Sequence, residues 1–200
     1  MTQPRFLTED RLNLFDKPLP GNIRLPVVTL AKIEGDTFDA VVLSSDGRPV
    51  FYKNEGDTKN PEFVLQTGND NPFRWMLIND FDETNYPGGA PEFVDINGDG
   101  KLDLFVSGYQ GNIFYFKNDP VKNGVQFPFG DFVSNEDNSN DPITNPTAST
   151  ENGQTLFGLT KGKEFDVIRF ADIDGDGLVD LFIGRNREGI LFYKNEGTTN

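Results

Sequence analysis

Three stretches of this chain share one layout, and that repetition constrains the fold more than any single residue does. Residues 38–54 read FDAVVLSSDGRPVFYKN, residues 102–118 read LDLFVSGYQGNIFYFKN, and residues 179–195 read VDLFIGRNREGILFYKN. Each has an Asp, an apolar run, a turn, and an apolar-aromatic run that ends in Lys-Asn. The spacing from Asp to closing Asn is 15 residues in every copy: Asp39 to Asn54, Asp103 to Asn118, and Asp180 to Asn195. A shared register of this kind marks an internal repeat, and a repeat fixes the architecture before any local propensity is weighed.

Each stretch reads as a β-hairpin. The first strand is almost wholly apolar (Leu104 to Val106, Leu181 to Ile183), as in a strand buried on both faces. Its partner carries aromatics: Phe114, Tyr115 and Phe116 in one copy, Phe192 and Tyr193 in another. The turns hold Asp46-Gly47, Gly111-Asn112 and Glu188-Gly189, the chemistry that hairpins favour. A further apolar run precedes each hairpin, at 93–96, at 168–173 and more weakly at 27–33, and 61–65 reads as an outer strand after the first. Short β-rich runs broken by Gly, Asn and Pro make the chain all-β.

Four strands per repeat is the size of a β-propeller blade; a solenoid of another type also meets the pattern. The reading is one domain over 1–200, with three four-stranded repeats at about 22–66, 86–135 and 163–200 and a loop insertion at 136–162 that is rich in Asn, Asp, Ser, Thr and Pro. The last repeat stops at NEGTTN, before any outer strand, and the chain begins MTQPRFLT. Read end to start, these resemble NEGDTKNPEFVLQ at 54–66, so residues 1–12 are expected to supply the missing outer strand. Two arrangements stay open. Two chains complete a six-bladed ring as a homodimer, or the chain is a segment of a larger propeller.

Charge limits the partners. The chain has 32 acidic and 18 basic residues and a formal net charge of −14, which argues against nucleic acid and against anionic membrane surfaces. The same charge serves either plain solubility or the holding of cations. Cysteine and histidine are both absent, which removes disulfides, a Cys nucleophile, and thiolate or imidazole sites for zinc. Residues 1–11 are polar and charged, with no signal-peptide core, and no apolar run approaches the length of a membrane span.

The carboxylates are not scattered. Asp95-Ile-Asn97-Gly-Asp99-Gly-Lys101-Leu-Asp103 and Asp172-Ile-Asp174-Gly-Asp176-Gly-Leu178-Val-Asp180 match position for position. Calcium takes six to eight hard oxygens at about 2.3–2.6 Å. Side chains at alternate positions of a tight loop converge on one point, and Gly100 and Gly177 permit the turn at positive φ. The expected ligands are Asp95, Asn97, Asp99, the Lys101 carbonyl and Asp103 in one loop, and Asp172, Asp174, Asp176, the Leu178 carbonyl and Asp180 in the other. Two calcium ions are therefore expected. The loops are not EF-hands, because position 12 is Val106 or Ile183 inside an apolar strand. The first repeat has only Lys32-Ile33-Glu34-Gly35-Asp36-Thr37-Phe38-Asp39 here, and no ion is expected in it. Asp80-Phe81-Asp82-Glu83 does not fit the spacing and reads as a polar loop.

At these residues the chain resembles the FG-GAP/VCBS repeat family, whose blades also build integrin α-subunit propellers. FVDINGDGKLDLFVSG (93–108) and FADIDGDGLVDLFIG (170–184) carry the likeness, with the aromatic strand and Lys-Asn-Glu-Gly turn that follow. The resemblance implies propeller blades with calcium between their first two strands, an extracellular or cell-surface setting, and a structural, adhesion or ligand-binding role. It names no protein or carbohydrate ligand. An enzyme is not expected, since no Ser elbow, P-loop or dinucleotide fingerprint is present. The alternative is an accessory or catalytic propeller of a polysaccharide-active lyase or hydrolase. Carbohydrate binding through Trp75, Tyr86 or Tyr109 is a further reading, beside simple packing of those rings.

Overall fold

The computed structural model describes residues 19–20, 26–43, 47–74, 76, 90–108, 113–118, 131–132 and 166–197. Among them the chain is all-β, with three antiparallel sheets and one short 3₁₀ turn at Gly68–Asp70. Sheet one runs β1 (Val27–Ala31), β2 (Asp39–Leu43), β3 (Val50–Asn54) and β4 (Phe63–Gln66) side by side. Sheet two runs β5 (Pro91–Val94), β6 (Asp103–Ser107) and β7 (Ile113–Phe116), and β8 (Asp131–Phe132) adds a two-residue pairing. Sheet three has β9 (Val167–Ala171), β10 (Asp180–Arg185) and β11 (Gly189–Tyr193).

All three expected hairpins form: β2–β3, β6–β7 and β10–β11. The strands before them end earlier than apolar patterning places them. β5 ends at Val94 and β9 at Ala171, so Ile96 and Ile173 fall in the loops that follow. The repeat Asp then sits directly across from the last residue of the first strand, pairing Ala31 with Asp39, Val94 with Asp103 and Ala171 with Asp180. Sheet three has three strands among the described residues rather than four; residues 1–12 and the insertion at 136–162 lie outside the described residues.

The two-residue alternation of a strand gives each sheet two faces. We call the face shared by Val41, Leu43 and Phe51 the leading face of sheet one. It packs on Leu104, Val106, Phe114 and Phe116, the trailing face of sheet two. Sheet two repeats the arrangement. Its leading Phe105, Ile113 and Tyr115 pack on the trailing Ile168, Leu181 and Ile183 of sheet three. The first strands β1, β5 and β9 lie next to one another along the stack. Burying one such Phe or Ile contributes roughly 1.5–3 kcal/mol. The two interleaved layers are therefore what holds the repeats together. β2 and β6 are buried along their whole length, as a strand covered on both faces must be, whereas in β10 Phe182 is half-buried and Gly184 exposed. Among the described residues the three sheets form an open stack and not a closed ring.

Candidate metal centre

Each first strand hands over to the second through a loop, and the loops after β5 and β9 are the aspartate-rich ones. Their local fold is written by side chains that accept backbone N–H groups. Asp95 accepts from Asp99 and Gly100 (3.1 and 2.9 Å), Asn97 from Asp99 (2.9 Å), and Asp99 from Lys101 (2.9 Å). The second loop is built alike. Asp172 accepts from Gly175 and Gly177 (2.7 and 3.0 Å), Asp174 from Asp176 (3.3 Å), and Asp176 from Leu178 (2.9 Å). Gly100 and Gly177 lie at φ 82° and 87°, where a side chain is disfavoured, as the turn requires.

This winding brings the first three alternating positions together. One carboxylate oxygen each from Asp172, Asp174 and Asp176 lies within 4.8 Å of the other two, and all three residues are exposed. Ligands on opposite sides of a calcium ion stand about 4.6–5.2 Å apart at its usual bond lengths. The donor set thus fits a hard cation in size and in chemistry, since every donor is an oxygen. In the loop of sheet two the amide of Asn97 takes the place of Asp174, so that loop offers two carboxylates and one amide at these positions.

Asp180 is not in that group. It is buried, and its two oxygens accept the N–H of Asn195 (2.9 Å) and of Ile173 (3.3 Å). Asp103 is likewise buried, accepting from Asn118 N–H (2.8 Å), the Tyr115 hydroxyl (3.0 Å) and the Asn97 amide (3.3 Å). Burial pushes the Asp103 carboxyl above the usual carboxylate range, against the pull of the Asn118 N–H, and burial next to Asp103 pushes the Tyr115 hydroxyl up as well. Asp39 does the same work in the first repeat, accepting from Asn54 (2.9 Å), Glu34 (3.0 Å) and Ile33 (3.2 Å). The Asp that opens each second strand is thus a latch that ties the loop to the end of the third strand, in all three repeats, over and above the ligand role expected for two of them.

The first loop is one residue shorter between the paired positions, Ala31 to Asp39 against Ala171 to Asp180. Lys32 stands where Asp95 and Asp172 stand in the other loops. A second lysine also enters the picture. Lys53, which precedes the latch Asn54, reaches Glu34 at 2.7 Å. Lys194, its counterpart in sheet three, donates to Asp174 and lies 3.4 Å from Asp176. The Lys194 ammonium holds the Asp174 carboxyl below the usual range and is itself raised by that partner. Sequence reasoning gave these lysines no role. The signal was present in the Lys-Asn ending of all three stretches, since a residue next to the latch Asn is carried to the loop by the hairpin.

Trp75, Tyr86 and Tyr109, considered for carbohydrate binding, and the acidic cluster at 80–83 lie outside the described residues. No helix among the described residues is long and apolar enough to cross a membrane. No family model, curated protein or solved structure matches this chain.

Proposed function

We propose that the chain is a calcium-braced module of propeller-type blades, akin to FG-GAP/VCBS repeats, with a structural, adhesion or ligand-binding role outside the cell and no catalysis of its own. The observation that carries this reading is the convergence of Asp172, Asp174 and Asp176 oxygens within 4.8 Å, in a loop whose hydrogen bonds recur in the loop of Asp95. In the proposed site these three, with the Leu178 carbonyl and Asp180, hold one ion; Asp95, Asn97, Asp99, the Lys101 carbonyl and Asp103 hold the other. A bound dication supplies positive charge that relieves the repulsion among neighbouring carboxylates and so stiffens the link between the first two strands of a blade. The blade assignment is supported by the repeated stacking of leading on trailing faces and by the adjacency of β1, β5 and β9. Extracellular calcium modules bind at about 10⁻⁴–10⁻³ M, weak enough to be filled only where calcium is plentiful.

Calorimetric titration of the chelator-stripped chain tests it. The expected result is two calcium equivalents bound, and Asp172→Asn with Asp176→Asn removing one of them. Absence of binding at millimolar calcium overturns the reading.

A further inference from the structure

The two aspartate-rich loops hold four pairs in which a glycine follows Asn or Asp: Asn97-Gly98, Asp99-Gly100, Asp174-Gly175 and Asp176-Gly177. In such a pair the glycine backbone nitrogen sits beside the side-chain carbonyl, with no Cβ of its own to crowd an attack on it. A glycine N–H held by an acceptor is withheld from that attack. Gly100 donates to Asp95 at 2.9 Å, Gly175 to Asp172 at 2.7 Å and Gly177 to Asp172 at 3.0 Å. Gly98 is the exception. Its N–H makes no hydrogen bond among the described residues. The Asp95 oxygen that corresponds to the acceptor of Gly175 takes the Asp99 N–H instead, at 3.1 Å. Gly98 also follows the one amide of the four pairs, and an amide has ammonia to lose. Asn97 is exposed to water, and its Oδ1 accepts the Asp99 N–H at 2.9 Å, which polarises the carbonyl under attack. Its Nδ2 donates to Asp103 at 3.3 Å.

We infer that Asn97 is a site of spontaneous deamidation, which gives the loop after β5 the carboxylate set of the loop after β9 and a tighter hold on a cation. The Gly98 nitrogen bonds to Cγ of Asn97 and gives up its proton. The Cγ–Nδ2 bond breaks, and ammonia leaves with that proton. Water then cleaves the new Cγ–N bond, placing its hydroxyl on Cγ and returning a proton to the Gly98 nitrogen, so that position 97 becomes an aspartate. One water is consumed and one ammonia released, with no oxidant or further reactant. The change takes a donor away from Asp103 and sets a second carboxylate against it. Negative charge is thereby added where a dication relieves it. The effect on calcium rests on the proposed function, whereas the deamidation does not.

Peptide mass mapping of the calcium-free chain, aged at neutral pH, tests it against the same chain unfolded in urea. The folded chain is expected to lose the Asn97 amide at least as fast as the unfolded one, with no isomerisation at Asp99, Asp174 or Asp176. An Asn97 amide that the folded chain keeps while the unfolded chain loses it overturns the inference, because the fold then protects the pair. Isoaspartate as the sole product at position 97 overturns it too, since the extra main-chain carbon displaces the carboxylate. Asn97→Asp stands in for the product, and calorimetric titration is expected to show calcium held at its loop about tenfold more tightly than in the unmodified chain. If that variant does not fold, the aged chain, separated from the fresh one by its charge, gives the same comparison. An unchanged affinity overturns the gain in cation binding. If neither form binds calcium, the proposed function fails, and the rates in the folded and unfolded chain still decide whether Asn97 is the site.

Discussion

The Asp39 carboxylate accepts the backbone N–H of Asn54, fifteen positions later across the hairpin, at 2.9 Å. The same bond joins Asp103 to Asn118 at 2.8 Å and Asp180 to Asn195 at 2.9 Å. It closes the start of the second strand onto the end of the third, and its acceptor is fully buried in every copy. The constant Asp-to-Asn spacing is this bond written in sequence. Since Asp39 makes it in a loop with few carboxylates, the bond belongs to the sheet and not to an ion.

Asp39→Ala therefore destabilises the chain whether or not calcium is present. It strands the buried Asn54 N–H and removes an acceptor from Ile33 and Glu34. A hydrogen bond to a charged group contributes about 1.5–3 kcal/mol, and that is the expected loss. Asp39→Asn keeps one oxygen for Asn54 and should lose less. Urea unfolding with an unchanged slope, in calcium and in EGTA, checks both the size and the calcium independence.

Much of each sheet was legible because it rests on repetition. The three hairpins follow from the Asp, the apolar run and the Lys-Asn ending. The strand ends before them were less legible, because Ile96 and Ile173 look like strand residues. The carboxylates of Asp95 and Asp172 claim the N–H groups of Gly100 and Gly177, which winds the chain out of the sheet one residue past β5 or β9. Ile96 then packs on the second core from the loop, while Ile173 is exposed. Phe73 was illegible: it follows the 3₁₀ turn with no periodic neighbours, yet it is buried edge-on to Phe51 at 5.6 Å and Phe93 at 6.0 Å. The lysines at 53 and 194 were visible as repeated letters, but a salt bridge to a loop some twenty residues earlier needs the hairpin to bring the two together.

Chelation should lower the melting temperature. One site held at a hundredfold excess of calcium over its Kd adds about 2.7 kcal/mol of stability. In a chain of this size each kcal/mol moves the midpoint by about 2–4 °C, so roughly 5–11 °C per site is expected. Scanning calorimetry in calcium and in EGTA measures it, and Asp176→Asn should abolish only the share that belongs to the loop after β9. A melting curve that EGTA does not move defeats the calcium reading.

Lys194 is an internal competitor for the same carboxylates. Its removal in Lys194→Met is expected to tighten calcium binding at that loop by about two- to fivefold, the scale of an exposed ion pair. Protonation gives an independent reading without metal. The folded Asp174 carboxyl lies below its unfolded value, so the stabilisation it contributes is present above the unfolded carboxyl pKa and is lost as pH falls through the folded one. The folded Lys194 lies above its unfolded value, so its share is present below the unfolded lysine pKa and fades as pH rises through the folded one. Carboxyl NMR of the calcium-free chain should show Asp174 titrating low, and Lys194→Met should move it up towards the ordinary range.

The first loop offers a gain-of-function test of what makes the others acidic sites. It differs in two ways: Lys32 occupies the first ligand position, and one residue is missing between Asp36 and Asp39, where the other loops carry Gly100 or Gly177. The latch of Asp39 is already in place, and Gly35 lies at φ 96°, matching Gly98 and Gly175 at φ 72° and 78°. Lys32→Asp and Glu34→Asp, with a Gly inserted after Asp36, restore the full carboxylate spacing on an intact sheet. Calorimetric titration should then count three calcium ions in place of two. The new ion should also displace Lys53, which loses Glu34 and meets a loop shared with a dication. If the redesigned loop folds, with its latch bond intact by amide exchange, and the count stays at two, then alternating carboxylates and a positive-φ turn are not sufficient for the site.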